Sequence, residues 1–357
     1  MAKLGVLTSG GDAPGLNPAI KWVVKHSLDD RVADNVIGIK YGWKGILDAV
    51  DVVSLNEQTV RTWDRDGGTH LGSSRTNPFD SQGKDKSEQL LRNVDSLGID
   101  FLIAMGGDDT LSVAAKLHQK GVKIVGIPKT IDGDVRGTDY SLGLASAVEK
   151  NRQVLNDLRN PAGSHGIIYI VEVMGRDTGH LALYSGIAGA AAIILIPEYP
   201  FALDHVALRS KERRKNGARY DIVVVSEGAK TKEGTEIGKE PTADDFGHKL
   251  LGGIGDYLAE QIQKLTGYET RGNRPGHVQR GAPPNFYDVI MGRLFGIGAV
   301  ELIKDRRFGY MVSLKEGKIS ATPLEEATKG KKFVDVDRQY DTQKLNAKRS
   351  AFEFPLF

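Results

Sequence analysis

The chain has 357 residues, of which 40% are hydrophobic and 26% charged, values typical of a soluble globular protein with two or three domains or two lobes. Its formal net charge of +2 is too small to argue for nucleic acid or an anionic membrane as a partner. The absence of cysteine excludes disulfides, thiolate catalysis and thiolate metal ligands.

The first predicted elements are a strand over residues 4–7, a glycine-rich turn with the sequence TSGGDAPG, and a helix. Amides in such a turn form an anion site together with the positive end of the helix dipole. A purely structural turn is the alternative. Because the strand follows Lys3 at once, we expect no signal peptide and a cytoplasmic protein.

A second strand is predicted over residues 36–39, and two glycine-containing stretches, YGWKG and GGTHLGSSRT, follow it. The longer stretch carries Arg75, whose guanidinium suits a phosphate. A solvated surface arginine is the alternative that this stretch alone leaves open.

The most informative stretch is FLIAMGGDDT at residues 101–110, in which five apolar residues end in two glycines, two acids and a threonine. Such a run, followed by helical spacing over residues 111–120, predicts a buried strand, a tight turn and a helix. Open α/β sheets bind ligands at the carboxyl ends of their strands. An acid there, near phosphates, is most simply a Mg²⁺ anchor, whereas the alternative is a polar turn that caps a helix.

A further apolar run over residues 123–127 ends in PKTIDGD, where Asp132 and Asp134 flank Gly133. On a regular strand the two acids would point to opposite faces, but a glycine turn can direct both into one cleft. One acid is then a candidate general base, and the other a candidate to hold metal or orient a hydroxyl. Lys129 places a cation beside them.

The second half of the chain continues this alternation. The predicted elements are a helix over 145–159, a strand over 167–173 that leads to MGRDTG, a buried helix and strand over 181–196, a strand over 221–226 that ends at Glu227, and a helix over 248–265. The apolar stretch at 181–196 falls short of the roughly 20 residues that a membrane span requires, so we expect no membrane partner. The alternation indicates an α/β fold with largely parallel sheets.

Two features remain near the C-terminus. The sequence ETRGNRPGHVQR at residues 269–280 contains three arginines and a histidine, a set suited to clamping a phosphate or sugar phosphate. Its proline and glycines interrupt any regular helical face. The tail from Lys329 is charged and weakly patterned, and we expect it to wrap a neighbouring chain or to stay mobile.

Seven stretches in chain order, LTSGGDAPG, GGTHLGSSR, MGGDDT, PKTIDGD, VEVMGR, SEG and GHVQRG, make the chain resemble the phosphofructokinase A family over about residues 1–315. The resemblance implies two Rossmann-like lobes with largely parallel sheets and an active site in the cleft between them. It implies a larger donor-binding lobe of residues 1–141 and 279–329, a smaller sugar-phosphate-binding lobe of residues 142–278, and a C-terminal tail of residues 330–357. Members transfer a phosphoryl group to the 1-hydroxyl of fructose 6-phosphate with Mg²⁺.

The resemblance also implies roles for residues within these motifs. For catalysis it implies Asp132 as the general base that takes the sugar hydroxyl proton, with Arg75 and Arg176 at the transferring phosphate. The implied donor-binding residues are Gly11, Arg75, Asp109 and Lys129, with Asp108 as the metal ligand. The implied residues for fructose 6-phosphate are Thr130, Asp132, Asp134, Met174, Gly175, Arg176, Glu227, Arg271, His277 and Arg280.

Two positions concern the phosphoryl donor. ATP-using members usually read GGDGS and PGTIDND, whereas this chain has Asp109 and Lys129 in place of those glycines and resembles the pyrophosphate-using branch. The Asp109 carboxylate would repel an α-phosphate, and Lys129 can neutralise the terminal phosphate of pyrophosphate. The implied reaction runs readily in both directions.

The chain departs from the family pattern at three places. The second intersubunit arginine of the family falls on Ile167, which removes an expected cation at the sugar phosphate and leaves the acceptor open. Gly133 replaces an asparagine between the two acids. Glu57 stands near the place of an effector-site arginine, and we therefore expect no control by phosphoenolpyruvate or ADP. Arg271 is expected to reach a neighbouring subunit, which implies a homodimer or homotetramer.

Four other functions stay open at this point. They are an ATP-dependent phosphofructokinase, a related kinase with another sugar or sugar-alcohol acceptor, a catalytically silent regulatory subunit, and an NAD kinase. Asp108, Asp132 and Arg176 argue against the silent subunit, and the TIDGD and MGR stretches argue against NAD kinase.

Overall fold

The computed structural model describes residues 2–48, 51–80, 83–232 and 252–349, and the apolar runs of the sequence form buried strands within them. The strands are β1 (Lys3–Thr8), β2 (Asn35–Ile39), β3 (Val52–Leu55), β4 (Phe101–Gly106), β5 (Ile124–Thr130), β6 (Leu142–Gly143), β7 (Ile168–Val173), β8 (Ile193–Leu195), β9 (Asp221–Ser226), β10 (Thr270–Asn273), β11 (Tyr310–Lys315), β12 (Lys318–Pro323), β13 (Tyr340–Asp341) and β14 (Asn346–Ala347).

The helices between them are α1 (Leu16–Asp29), α2 (Trp43–Leu47), α3 (Glu57–Val60), α4 (Ser87–Ser96), α5 (Asp108–Gln119), α6 (Leu144–His165), α7 (His180–Ala188), α8 (Leu203–Lys215), α9 (Ile254–Thr266), α10 (Phe286–Lys304) and α11 (Val336–Gln339). Short 3-10 turns lie at Trp63–Arg65, Gly276–Gln279 and Leu324–Thr328. Among the described residues, no helix is both long enough and apolar enough to span a bilayer.

The larger sheet has the strand order β12-β11-β5-β4-β1-β2-β3, with β6 paired to the end of β5, counted over the described ranges. Its centre is parallel, and the antiparallel strands β3 and β12 lie at the two edges. Alternate residues of the central strands enter different cores: Val6 and Ile103 pack with α1 and α10, whereas Leu7 packs with α4 and α5. Burial on both faces explains why these strands read as continuous apolar runs.

The smaller sheet has the order β10-β7-β9-β8 and is entirely parallel within the described part of the chain. One face packs against α6 and α7, and the other packs against α8 and α9. We refer to each sheet with its helices as the larger and the smaller lobe. The predicted α/β fold of two Rossmann-like lobes with largely parallel sheets is confirmed.

Several predicted boundaries move. Strand β5 continues to Thr130, and α6 runs to His165. The predicted helix over 248–265 appears as α9 from Ile254, while residues 248–251 lie outside the described residues. Helix α5 starts at Asp108, so the acids that were predicted in a turn occupy its first turn, where the helix dipole stabilises their negative charge.

The C-terminal tail differs most from its prediction. Val334, Tyr340 and Leu345 are buried in the two cores of the smaller lobe, and the Tyr340 hydroxyl donates to the Ile194 carbonyl at 2.5 Å. The expectation that the tail wraps a neighbour or stays mobile is therefore wrong for residues 329–349. Three isolated apolar residues fill gaps in an existing core, and such sparse spacing leaves no periodic pattern to detect. Residues 350–357 lie outside the described residues.

Candidate active site

A polar cavity lies where the carboxyl ends of β1, β4 and β5 face the smaller lobe. Its lining residues are Gly10, Gly11, Asp12, Arg75, Gly107, Asp108, Asp109, Thr110, Lys129, Thr130, Ile131, Asp132, Asp134, Arg176, Arg280 and Lys331. Most of the predicted site residues are among them, namely Gly11, Arg75, Asp108, Asp109, Lys129, Thr130, Asp132, Asp134, Arg176 and Arg280. The cavity thus combines acids and cations at the strand ends, where α/β sheets bind ligands.

The central turn is shaped by close packing between β4 and α5. A Cβ atom on Gly106 would lie 2.3 Å from the Thr110 side chain, so only glycine fits there. Gly107 precedes the helix, and its carbonyl accepts the Leu111 amide at 3.0 Å. Because α5 begins at once, Asp108 and Asp109 line the cavity from a helix N-terminus.

Lys129 lies at the end of β5 and is only 2% exposed. Its ammonium donates to the carbonyl oxygen of Gly11, which ties β5 to the first glycine-rich turn. Burial, and then the charge of Arg280, lowers the pKa of Lys129 to about 8, while Asp12 and Asp132 oppose this shift. Lys129 therefore presents a desolvated cation to the end of the cavity that the first glycine-rich turn lines.

Asp132 and Asp134 both lie at the cleft, and Gly133 between them adopts a left-handed φ of 71°. Thr130 supports the turn, since its hydroxyl accepts the Asp132 amide at 3.1 Å. Within the described residues, Asp132 Oδ1 is buried without a hydrogen-bond partner. Burial, followed by repulsion from Asp132, raises the pKa of Asp134, although Lys331 opposes the shift. The glycine turn thus places two acids in one cleft, as the sequence predicted.

Two arginines approach from the other side of the cleft. A Cβ atom on Gly11 would lie 2.1 Å from Arg280 Nη1, so the glycine is required for the guanidinium to lie against this turn. Among the described residues, Arg280 Nε and Arg176 Nη1 are buried without hydrogen-bond partners. Because unpaired buried donors are costly, these atoms mark places that an anionic ligand would satisfy.

The smaller lobe contributes Met174, Gly175 and Glu227 at the ends of β7 and β9. The Met174 amide donates to Gln279 Oε1 at 3.2 Å, and the Glu227 amide donates to the Val173 carbonyl at 2.8 Å. Burial, with repulsion from Asp132 and Glu172, raises the pKa of Glu227 to about 7. Glu227 therefore belongs to the same electrostatic environment as the acids of the larger lobe.

His277 and Arg271 differ in position. His277 lines an adjoining cavity with Gly11, Arg75 and Arg280, whereas Arg271 lies on β10, is 59% exposed and pairs with Glu269 at 2.5 Å. This chain's own Arg271 does not line the cavity, and its reach into a neighbouring subunit stays a prediction. Ile167 is buried in the core of the smaller lobe, so that position carries packing rather than substrate contact.

Sequence reasoning missed Lys331, which the tail places in the cavity. Its Nζ lies 2.9 Å from Asp134 Oδ2, 3.1 Å from Asp177 Oδ2 and 3.3 Å from Asp108 Oδ2. Burial alone would lower its pKa, but the carboxylates of Asp134 and Asp108 raise it well above its ordinary value. The cluster KGKK at residues 329–332 was the only available signal, and nothing in it indicates the cleft.

The cleft acids fit a hard divalent cation. Asp108, Asp134 and Asp177 offer oxygen ligands and already surround one positive charge, that of Lys331. Mg²⁺ commonly binds through one or two carboxylates completed by substrate phosphates, rather than in an all-protein cage. Accordingly, among the described residues, the one group of three side chains whose ligand atoms lie within 4.8 Å of one another is elsewhere, at His26, Asp30 and Glu301 on α1 and α10. Lys304 pairs with both of these acids.

Comparison with known proteins identifies relatives that align along nearly the whole chain. A pyrophosphate–fructose 6-phosphate 1-phosphotransferase from Dictyoglomus thermophilum is 44% identical over 331 residues, covering 92% of this chain and 94% of that protein. An ATP-dependent 6-phosphofructokinase from Synechocystis is 38% identical over 343 residues, covering 94% of each chain. Relatives named for either donor thus align along nearly the whole sequence.

Solved structures show the same fold. A pyrophosphate-dependent phosphofructokinase from Marinobacter aquaeolei superposes with a TM-score of 0.84 at 20% identity and covers 98% of this chain and 89% of that one. Phosphofructokinase from Saccharomyces cerevisiae gives 0.78 at 29% identity, and this chain spans 45% of its length. A family model described as phosphofructokinase matches residues 3–303. This chain therefore belongs to the phosphofructokinase family.

Proposed function

We propose that this protein transfers a phosphoryl group between pyrophosphate and the 1-hydroxyl of fructose 6-phosphate, reversibly and with Mg²⁺. The choice of pyrophosphate as the donor rests mainly on Lys129, whose ammonium is buried and donates to the Gly11 carbonyl. Buried cations suit pyrophosphate, which consists only of phosphate groups, because ionic interactions must replace the binding energy that the adenosine of ATP would supply. The naming of the Dictyoglomus thermophilum relative supports the same donor.

The donor end comprises Gly11, Arg75, Asp108, Asp109 and Lys129. Lys129 and Arg75 neutralise phosphate oxygens, while Asp109 excludes a nucleotide by repelling its α-phosphate. Asp108 would hold Mg²⁺ with the donor phosphates, and the bound metal supplies charge neutralisation and orientation.

Asp132 is the proposed general base for the sugar hydroxyl. Its Oδ1 is buried, is not engaged by any described residue, and faces a cleft that already holds Arg176. A base must lie within hydrogen-bond reach of the proton that it removes, and Thr130 fixes the turn that presents it. Asp134 supports the pair, and Arg176 stabilises charge that develops on the transferring group.

The acceptor end comprises Met174, Gly175, Glu227, His277 and Arg280. Arg280 and His277 suit the sugar phosphate, and Glu227 with the 174–175 backbone suits sugar hydroxyls. Arg271 would complete this end from a second subunit, which requires a homodimer or homotetramer. We also propose the lobe boundaries of residues 1–141 with 279–329 and 142–278, and a cytoplasmic location.

The decisive assay offers purified protein, fructose 6-phosphate and Mg²⁺ with either pyrophosphate or ATP as sole donor. We expect turnover with pyrophosphate, and a reverse reaction from fructose 1,6-bisphosphate and phosphate. Appreciable turnover only with ATP would reject the donor and favour the function named for the Synechocystis relative. A panel of other sugar phosphates tests the acceptor, and the Asp132→Ser variant controls for contaminating activity.

A further inference from the structure

The segment around Lys331 connects the two lobes. Leu324 and Ala327 pack into a core of the larger lobe, and Val334 packs into a core of the smaller lobe. The chain therefore crosses from one core to the other within a few residues, and Lys331 lies between them on the wall of the cavity.

The Lys331 ammonium joins carboxylates from both lobes. Asp108 and Asp134 follow β4 and β5 of the larger sheet, whereas Asp177 follows β7 of the smaller sheet. All three oxygens lie between 2.9 and 3.3 Å from Nζ. The contact with Asp134 is a hydrogen bond, and those with Asp108 and Asp177 are ion pairs.

The segment that carries Lys331 is held in place by contacts of the next residue, Lys332. The Lys332 amide donates to the Asp134 carbonyl at 2.9 Å, and its Nζ donates to the carbonyls of Thr138 and Asp139, each at 3.1 Å. His180 Nε2 lies 2.9 Å from the Lys332 carbonyl oxygen. Replacement of Lys331 should therefore remove a charge without detaching the segment.

The position of this ammonium conflicts with that of a divalent cation. Asp108, which would hold Mg²⁺, is within 3.3 Å of Lys331 Nζ. Two cations cannot share one carboxylate closely in a partly buried site without strong repulsion. A phosphate donor brings new anionic oxygens into the same cavity, and these can pair with the Lys331 ammonium in place of Asp108.

We propose that Lys331 is a further donor-binding residue, whose ammonium competes with the divalent cation for Asp108 and transfers to a phosphate oxygen of the donor when metal and donor bind together. This inference rests on the proposed donor site. It makes metal binding and donor binding interdependent, because the donor provides the acceptor that lets Lys331 leave the metal ligand.

Competition between Lys331 and the metal for Asp108 is tested by measuring Mn²⁺ binding by electron paramagnetic resonance, without any sugar present. We expect Lys331→Met to bind Mn²⁺ about tenfold more tightly than the unaltered protein. Lys331→Arg, which keeps the charge, should stay close to the unaltered protein. The matched control is Lys329→Met, since Lys329 is exposed and pairs with Glu326 outside the cavity. An unchanged Mn²⁺ affinity in Lys331→Met would overturn the proposal.

Calorimetric titration with pyrophosphate and Mn²⁺ together tests whether Lys331 binds the donor. Lys331→Met should bind pyrophosphate about tenfold more weakly than the unaltered protein, whereas Lys331→Arg should keep most of the affinity for pyrophosphate. Lys329→Met is again the matched control: equal weakening of pyrophosphate binding in Lys329→Met and Lys331→Met would reject a specific role for Lys331. Both readouts are binding measurements, so a protein that turned over only ATP would fail the proposed donor while the Mn²⁺ competition could still be seen.

Discussion

The two ends of the cleft differ in how their charges are satisfied. At the donor end, Lys129 is bonded to the Gly11 carbonyl and Lys331 is surrounded by three carboxylates. At the proposed transfer centre and acceptor end, within the described residues, Asp132 Oδ1, Arg176 Nη1 and Arg280 Nε are buried without hydrogen-bond partners. The donor end is thus preorganised by the protein's own contacts, whereas the transfer centre leaves its polar atoms for substrate to satisfy.

This difference has an energetic meaning. A buried polar atom without a partner costs roughly 1–3 kcal/mol, so the transfer centre weakens the fold in order to keep its hydrogen-bonding capacity for the reaction. Contacts at the proposed donor end hold its side chains in position, and donor binding would exchange some of them. Substitutions in the two regions should therefore have different effects, the largest of them on turnover.

Asp132→Ser should have the largest effect, because it removes the proposed base from the transfer centre. We expect kcat to fall by about 10²–10⁴-fold, the usual contribution of a positioned acid–base group. Pyrophosphate affinity should change little, since the donor end keeps its contacts. Steady-state kinetics with a matched variant of the exposed Asp95 on α4, Asp95→Ser, provides the control. A near-normal kcat would place the base elsewhere.

Replacing both donor-end residues should change the choice of donor. Asp109→Gly with Lys129→Gly removes the carboxylate that we propose repels a nucleotide and the ammonium that we propose favours pyrophosphate. We expect the ratio of kcat/KM for pyrophosphate to that for ATP to fall by about 10–100-fold, the value of one or two charged hydrogen bonds. The single variants need not add, because both side chains line one cavity. A double variant that still ignores ATP would show that other residues exclude it.

A smaller effect concerns stability and pH. The pKa of Glu227 rises from 4.5 to about 7 on folding. The native state therefore binds more protons than the unfolded state between these values, and the free energy of unfolding falls as pH rises through this window. Glu227→Gln should remove this penalty and gain about 1–2 kcal/mol relative to the unaltered protein between pH 4.5 and 8. Urea unfolding at several pH values measures it, and a difference that is independent of pH would contradict the assignment.

The strand ends were predictable from sequence, but the partners across the cleft were not. An apolar run before GGDDT or PKTIDGD identifies a buried strand and the residues at its end, and parallel strands then bring those residues together. The clamp predicted over residues 269–280 includes Arg280, but its position against Gly11 was not predicted. The apolar residues of the tail, such as Tyr340, gave no periodic signal because each fills an isolated gap.

The sequence by itself determined the α/β fold with largely parallel sheets, the order of the strand-end motifs, and the two acids that flank Gly133, because each depends on local sequence patterns. Only the tertiary structure decided that Lys331 enters the acidic cluster, since the ion pair with Asp134 joins residues 197 positions apart. Local patterns report periodicity and backbone geometry. The return of the chain to a distant lobe depends on which cores have room for its few apolar side chains, and that is settled only when both lobes are packed.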